Sequence, residues 1–254
     1  MAMAATIALA GLAGCLTGGD GGGPENRAPR AELRAGEASA WNGESIEFDA
    51  RGSTDPDGEI ERWEFDFGDG TRETVNREED AKTNHPFARG GEYTVTVTVY
   101  DDGDEQGGAL TDTASVSVYV NEEIPVAQAV MYAAPPGQND SPTAKYNQTF
   151  EAREGADRIK VHLDVQNTFT LGSSEITVRL LGPDGDRLDE QTVTVDESED
   201  EAVELSSVVK DTGFHKIEVE ATSGAAATEG ELRVYYDTPG GVQGNGGDNA
   251  TATA

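Results

Sequence analysis

The residues whose type and spacing could do chemistry are aspartates. Asp66 and Asp69 stand three apart in Phe65-Asp66-Phe67-Gly68-Asp69-Gly70, and two neighbouring carboxylates are the equipment of general acid–base catalysis. Asp69, however, lies between two glycines, where an Asp side chain bonds the backbone N–H groups of a turn, so the pair reads as turn chemistry. Asp55 and Asp57 are the better candidates. With Asn26 and Asp101 they could gather oxygens around Ca²⁺, since hard cations take carboxylates and carbonyls; a solvated Asx-type turn is the alternative. His85, His162 and His215 stand in three unrelated contexts with no metal-ligand spacing. The chain carries no nucleophile elbow, phosphate loop, zinc motif or Cys–His pair, so the expectation is a non-catalytic protein.

The chain has one cysteine in 254 residues, Cys15, which cannot form an internal disulfide. Residues 1–14, MAMAATIALAGLAG, are uncharged, small and apolar, with the length of a signal-peptide core and too short to span a bilayer as a helix. Leu12-Ala13-Gly14-Cys15 resembles the lipobox of lipoproteins. That resemblance implies cleavage before Cys15, a diacylglycerol on its thiol, and a place on the extracellular face of the cell membrane. No Lys or Arg precedes the apolar run. Residues 15–25 follow as a Gly-rich flexible tether.

The formal charge is −31, from 49 acidic and 18 basic residues. Such a field repels nucleic acid and anionic membranes. In molar salt the screening length falls to roughly 3 Å, and self-repulsion largely disappears. The acid-rich, Lys-poor, Thr-rich composition resembles that of haloarchaeal proteins; an ordinary acidic secreted protein is the alternative.

The elements that position the aspartates are strands. Ile46, Phe48 and Ala50 alternate with Ser45, Glu47 and Asp49; Trp63, Phe65 and Phe67 share one face of a strand from Ile60 to Phe67. Gly52 to Gly58 and Gly68-Asp69-Gly70 are turns. Tyr93, Val95, Val97 and Val99 alternate with three threonines, and this β-branched run reads as strand. Residues 113–120 close the domain.

Residues 26–122 resemble the polycystic kidney disease (PKD) domain, an immunoglobulin-like β-sandwich of secreted and cell-surface proteins. The resemblance rests on Asn26-Arg27-Ala28-Pro29, Phe48-Asp49-Ala50, Ser53 to Gly58, Phe65 to Gly70, His85-Pro86-Phe87 and Gly91 to Val95. Phe65 stands where the family usually has Trp, and Trp63 keeps a large aromatic on that face. The resemblance implies protein or carbohydrate contact, or spacing, rather than catalysis. Calcium in some PKD-like modules of secreted collagenases adds to the reading of Asn26, Asp55, Asp57 and Asp101.

Asn121 to Pro125 reads as a short linker. Residues 123–237 then carry a second series of alternating strands, near 159–166, 176–180, 187–195, 202–209, 214–222 and 230–237. Seven or eight short strands between turns predict a second sandwich or jelly roll, weakly resembling the jelly-roll accessory domains of secreted peptidases. His215 reads as a packing residue at a sandwich corner, and His162 as solvated. Residues 196–201 form an acidic run. Asn139, Asn147 and Asn249 open glycosylation sequons, and residues 238–254 read as a disordered tail.

The chain is therefore expected to be all-β, with two tandem β-sandwiches, acting as a lipid-anchored adhesive or spacer module that contacts surface proteins or polysaccharide. The alternative is a carbohydrate-binding accessory protein of a hydrolase. Sugar binding requires exposed aromatics, which are scarce at 6% of residues; Trp41 is the one candidate platform.

Overall fold

The structure, a computed structural model, describes residues 26–103, 109–133, 145–168, 172–197 and 199–236. Cys15, Asn139, Asn249, the tether and the tail lie outside the described residues. The described residues are all-β. In the first half the strands are β1 (Arg34–Ala35), β2 (Ser39–Trp41), β3 (Ser45–Asp49), β4 (Ile60–Asp66), β5 (Arg72–Asn76), β6 (Lys82–Pro86) and β7 (Gly91–Asp101). A long strand, β8 (Thr111–Tyr132), follows. The second half adds β9 (Lys145–Ala152), β10 (Ala156–Asn167), β11 (Ser174–Leu181), β12 (Arg187–Val195), β13 (Asp200–Val208), β14 (Gly213–Ser223) and β15 (Ala225–Tyr236). No helix among the described residues is long and apolar enough to cross a membrane.

The first sandwich packs the sheet β1-β3-β6 against β8-β7-β4-β5, with β2 alongside β8. Alternation decides its core. Trp63, Phe65 and Phe67 point inward from one face, as their spacing predicts, and meet Ile46, Phe48, Phe87, Val95, Val97 and Val99. Phe48 lies 5.8 Å from Phe67 and 6.4 Å from Phe87 between ring centroids, in tilted and edge-on geometry that suits the aromatic quadrupole.

The second sandwich packs β13-β10-β15-β8 against β12-β11-β14-β9. Counted from β8 as its first strand, the sheets read 6-3-8-1 and 5-4-7-2. This is the strand order of a jelly roll, and it resolves the choice left by the sequence. Its core is aliphatic: Ile159, Val161, Leu163 and Val165 from β10 face Ile176, Val178 and Leu180 from β11. Side chains close both seams between the sheets. The Gln191 and Asp189 side chains of β12 accept from Glu204 N (3.1 Å) and Ser206 N (2.9 Å) of β13. Gln148 of β9 accepts from Ala127 N and donates to Pro125 O of β8, at 3.2 and 3.0 Å. Polar groups on those edge strands are thereby occupied and do not template further pairing.

One expectation is overturned. Residues 121–125 are not a linker loop but the middle of β8. Its first half pairs with β7 (Gly91↔Val120 through Tyr100↔Thr111), and its second half pairs with β15 (Val234↔Glu122 through Ala225↔Tyr132). Pro125 marks this stretch as a break in the sequence, yet the strand continues through it: Pro125 stands opposite Glu231 of β15, and its carbonyl accepts from the Gln148 side chain at 3.0 Å. A single sheet therefore runs through both sandwiches.

Candidate functional site

The aspartate turn and the carboxylates at the end of β7 do meet at one end of the first sandwich. The Asn26 side-chain amide donates to Asp101 Oδ2 at 2.9 Å, and Arg27 N donates to Asp57 Oδ2 at 3.1 Å. Asp55 Oδ1 accepts from Asp57 N and Gly58 N, each at 3.2 Å, which is an Asx turn. Asp101 is fully buried, and its Oδ1 accepts from Gly103 N (3.1 Å) and Leu110 N (2.7 Å). With Asn26 on its other oxygen, its charge is satisfied by three donors. Asp57 is exposed. The oxygen left over is Asp55 Oδ2, which is buried without a hydrogen-bond partner among the described residues.

A residue missed from the sequence is Asp102. A Cβ placed on Gly58 would lie 2.6 Å from Asp102 Oδ1 and 3.1 Å from Asp55 Oδ2, so these two oxygens flank one small space. Its signal was present in the doublet Asp101-Asp102: in a strand end, neighbours face opposite ways. Asp101 turns into the protein and Asp102 toward the Asp55 turn. Among the described residues, no group of three or more His, Cys, Asp or Glu side chains is arranged to hold a metal ion.

The Asp66–Asp69 pair is divided between two local tasks. Asp66 accepts from Gly68 N at 3.0 Å and pairs with Arg72 at 2.8 Å. Asp69 Oδ1 accepts from Thr71 N (2.9 Å) and Thr71 Oγ1 (2.6 Å), and its Oδ2 lies 2.7 Å from His85 Nε2. The His85 ring stacks on Phe67, with centroids 3.9 Å apart. Burial pushes the Asp69 carboxyl up, but the bonds from Thr71 and His85 outweigh it and hold the group below the usual carboxylate range. His215 is buried, with Nδ1 3.0 Å from Gly213 O and its ring 5.6 Å from that of Phe150, a packing role. Asn147 is exposed on β9.

The two sandwiches meet along β8 and around Tyr236. The Tyr236 hydroxyl accepts from Arg153 N at 3.2 Å, its own N donates to Asn121 Oδ1 at 2.9 Å, and Arg153 Nη1 reaches Gly90 O at 3.0 Å. Asn42 bonds the Glu123 backbone twice, at 2.9 and 3.5 Å. On the outer side Trp41 of the first sandwich packs edge-on against Tyr235 of the second, with centroids 5.6 Å apart. Arg233 lies over Trp41 at 5.3 Å and Lys160 over Tyr235 at 5.7 Å. Tyr235 was legible in principle, as the outward position between inward Val234 and Tyr236.

Residues 26–118 match the PKD domain family. The matched PKD segment ends inside β8, just before the point where that strand changes partners. Over 101 residues the chain is 35% identical to collagenase ColA of Clostridium perfringens, which is 40% of this chain and 8% of that protein. The chain spans a tenth or less of the curated collagenases it matches. Among solved structures, the PKD1 domain of Vibrio anguillarum Epp is 31% identical, covering 38% of this chain and 99% of that one, with a TM-score of 0.29. A structure from a study of carbohydrate-binding modules of the β-sandwich superfamily covers 84% of this chain and 98% of its own, at 14% identity and a TM-score of 0.34.

Proposed function

We propose that the protein is a non-catalytic, lipid-anchored module of the extracellular cell surface that holds a binding surface at a fixed distance and orientation. The observation that carries this reading is β8, which belongs to both sandwiches. Domains joined by a loop swing; domains that share a strand and its ladder of hydrogen bonds move together. The PKD match supports an accessory rather than a catalytic role for the first sandwich, and both halves have filled cores. The lipid on Cys15 and the Gly-rich tether complete the reading, with surface proteins or polysaccharide as partners and no nucleic acid. A halophilic, haloarchaeal setting accords with the charge of −31. Asn147 is the exposed position where a glycan would sit.

Replacing Cys15 by Ser tests the anchor: the protein should leave the membrane fraction for the medium. Unchanged membrane retention would overturn the lipid reading.

Calcium enters this proposal at the Asp55 turn. Its support is the orphaned Asp55 Oδ2 facing Asp102 Oδ1. Asp101 already has three donors and would serve by fixing Asn26. Titration calorimetry of Ca²⁺ into the full chain should give heat at millimolar metal that Asp55→Asn abolishes. Absence of heat in the unaltered protein removes calcium from the reading.

A further inference from the structure

We propose that the outward face of the shared sheet, where the two sandwiches meet, binds a neutral polysaccharide chain. Trp41 and Tyr235 form the platform, and Lys160, His162, Glu231 and Arg233 form the floor. The inference deepens the reading of a surface module by naming what it holds.

The face carries two adjoining troughs. One, of about 350 Å³, is lined by Lys160, His162, Glu204, Glu231, Arg233 and Tyr235. The other, of about 590 Å³, shares His162 and Glu231 and continues past Asp164 and Glu229. From Tyr235 to Glu229 along β15 the run is about 20 Å at the rise of a strand, room for several linked sugars. The troughs exist because β10 and β15 turn their inward positions to the core and their outward ones to this face.

The chemistry of the lining selects the ligand. A sugar ring offers an apolar C–H face and a rim of hydroxyls, each of which both donates and accepts. Trp41 and Tyr235 are half-buried, so each is held in place while part of its ring remains open. Around them acceptors alternate with donors. Lys160 is exposed, and its ammonium lies 5.7 Å from the centre of the Tyr235 ring. Arg233 is fixed by Glu123 at 3.0 Å and Glu231 at 2.7 Å, so its planar donors are oriented before any ligand arrives. His162 bonds Glu204 and lies 3.6 Å from Asp164. The trough lining has two cations, Lys160 and Arg233, against four carboxylates, Asp164, Glu204, Glu229 and Glu231. With a chain charge of −31, that balance disfavours a polyanion and leaves a neutral polyhydroxylated chain as the complementary ligand. A protein partner is disfavoured because charged and polar side chains dominate the lining of both troughs, Tyr235 and Val126 being the apolar side chains among them.

The chain has two tryptophans, and Trp63 is buried, so a ligand-induced change in Trp emission reports Trp41. The full-length protein in molar salt is titrated with soluble mixed-linkage β-glucan, galactomannan and dextran, and with polygalacturonate as the acidic comparator. At least one neutral polysaccharide should give a saturable change. Tyr235→Ala and Lys160→Ala should each weaken it roughly tenfold or more, while Phe214→Ala, an exposed aromatic on the opposite sheet, should leave it unaltered. Thermal melts confirm that the variants are folded. No saturable change with any neutral polysaccharide, binding to polygalacturonate alone, or binding that survives both substitutions overturns the proposal. The assay uses no membrane, so it fails or succeeds independently of the lipid anchor.

Discussion

Asp69 ties a turn to a strand: its carboxylate holds Thr71 in the Gly68–Gly70 turn and His85 on β6. The two flanking glycines make this possible, with φ of 78° and 93°, values that cost L side chains dearly. Because the folded Asp69 titrates below its ordinary value of 3.8, its ionised form stabilises the fold. That contribution is complete above the unfolded value and is lost as pH falls through the lower folded one. Asp69→Asn should therefore cost about 1–2 kcal/mol at neutral pH, and the gap from the unaltered protein should narrow below pH 4. Denaturant melts at pH 3 and pH 7 check this; a gap independent of pH would mean the carboxylate charge plays no part. The role of Asp69 as a turn former was legible from its glycines. Its hold on His85 was not, because a separation of 16 positions gives no local signal of which strands pair.

Among the elements, β8 matters most. Strand existence followed from alternation almost everywhere: the runs near 159–166, 187–195 and 214–222 are β10, β12 and β14. The strands β1, β2, β5, β6 and β9 are not marked in the sequence because they are too brief, or too polar, to show a period. At Asn121–Pro125 the sequence reads as a linker, but Pro and charged residues mark breaks only when no partner strand overrides them, and β15 supplies that partner. The same junction makes a sharp prediction. A Cβ on Gly90 would lie 2.5 Å from the Tyr236 ring and 2.8 Å from Glu122 Cβ, so Gly90→Ala must push the second sandwich away from the first. It should destabilise the protein by about 1–3 kcal/mol and broaden or split the single calorimetric transition expected of sandwiches that share a strand. An unchanged transition would mean the junction is soft.

At the scale of the molecule, charge dominates. Exposed ion pairs such as Arg72–Asp66 and Arg187–Glu190 contribute little individually, and 18 basic residues cannot neutralise 49 acidic ones. Self-repulsion remains and is relieved only by screening. The melting temperature should rise steeply between dilute buffer and molar NaCl. A flat dependence would remove the halophilic reading while leaving the fold untouched.

By itself the sequence determined the all-β class, the inward faces of the long strands, the turns built on Gly, Pro and Asp, and the PKD resemblance of the first sandwich, matched over residues 26–118. These are local properties, written in periods of two and in turn residues, so a linear reading recovers them. Only the tertiary structure decided that β8 serves both sandwiches, that Asp102 rather than Asp57 faces the orphaned Asp55 oxygen, and that Trp41 meets Tyr235 nearly two hundred residues away. Each depends on which strands become neighbours. Pairing is chosen by the packing of whole faces against one another, and no short stretch of the chain encodes that choice.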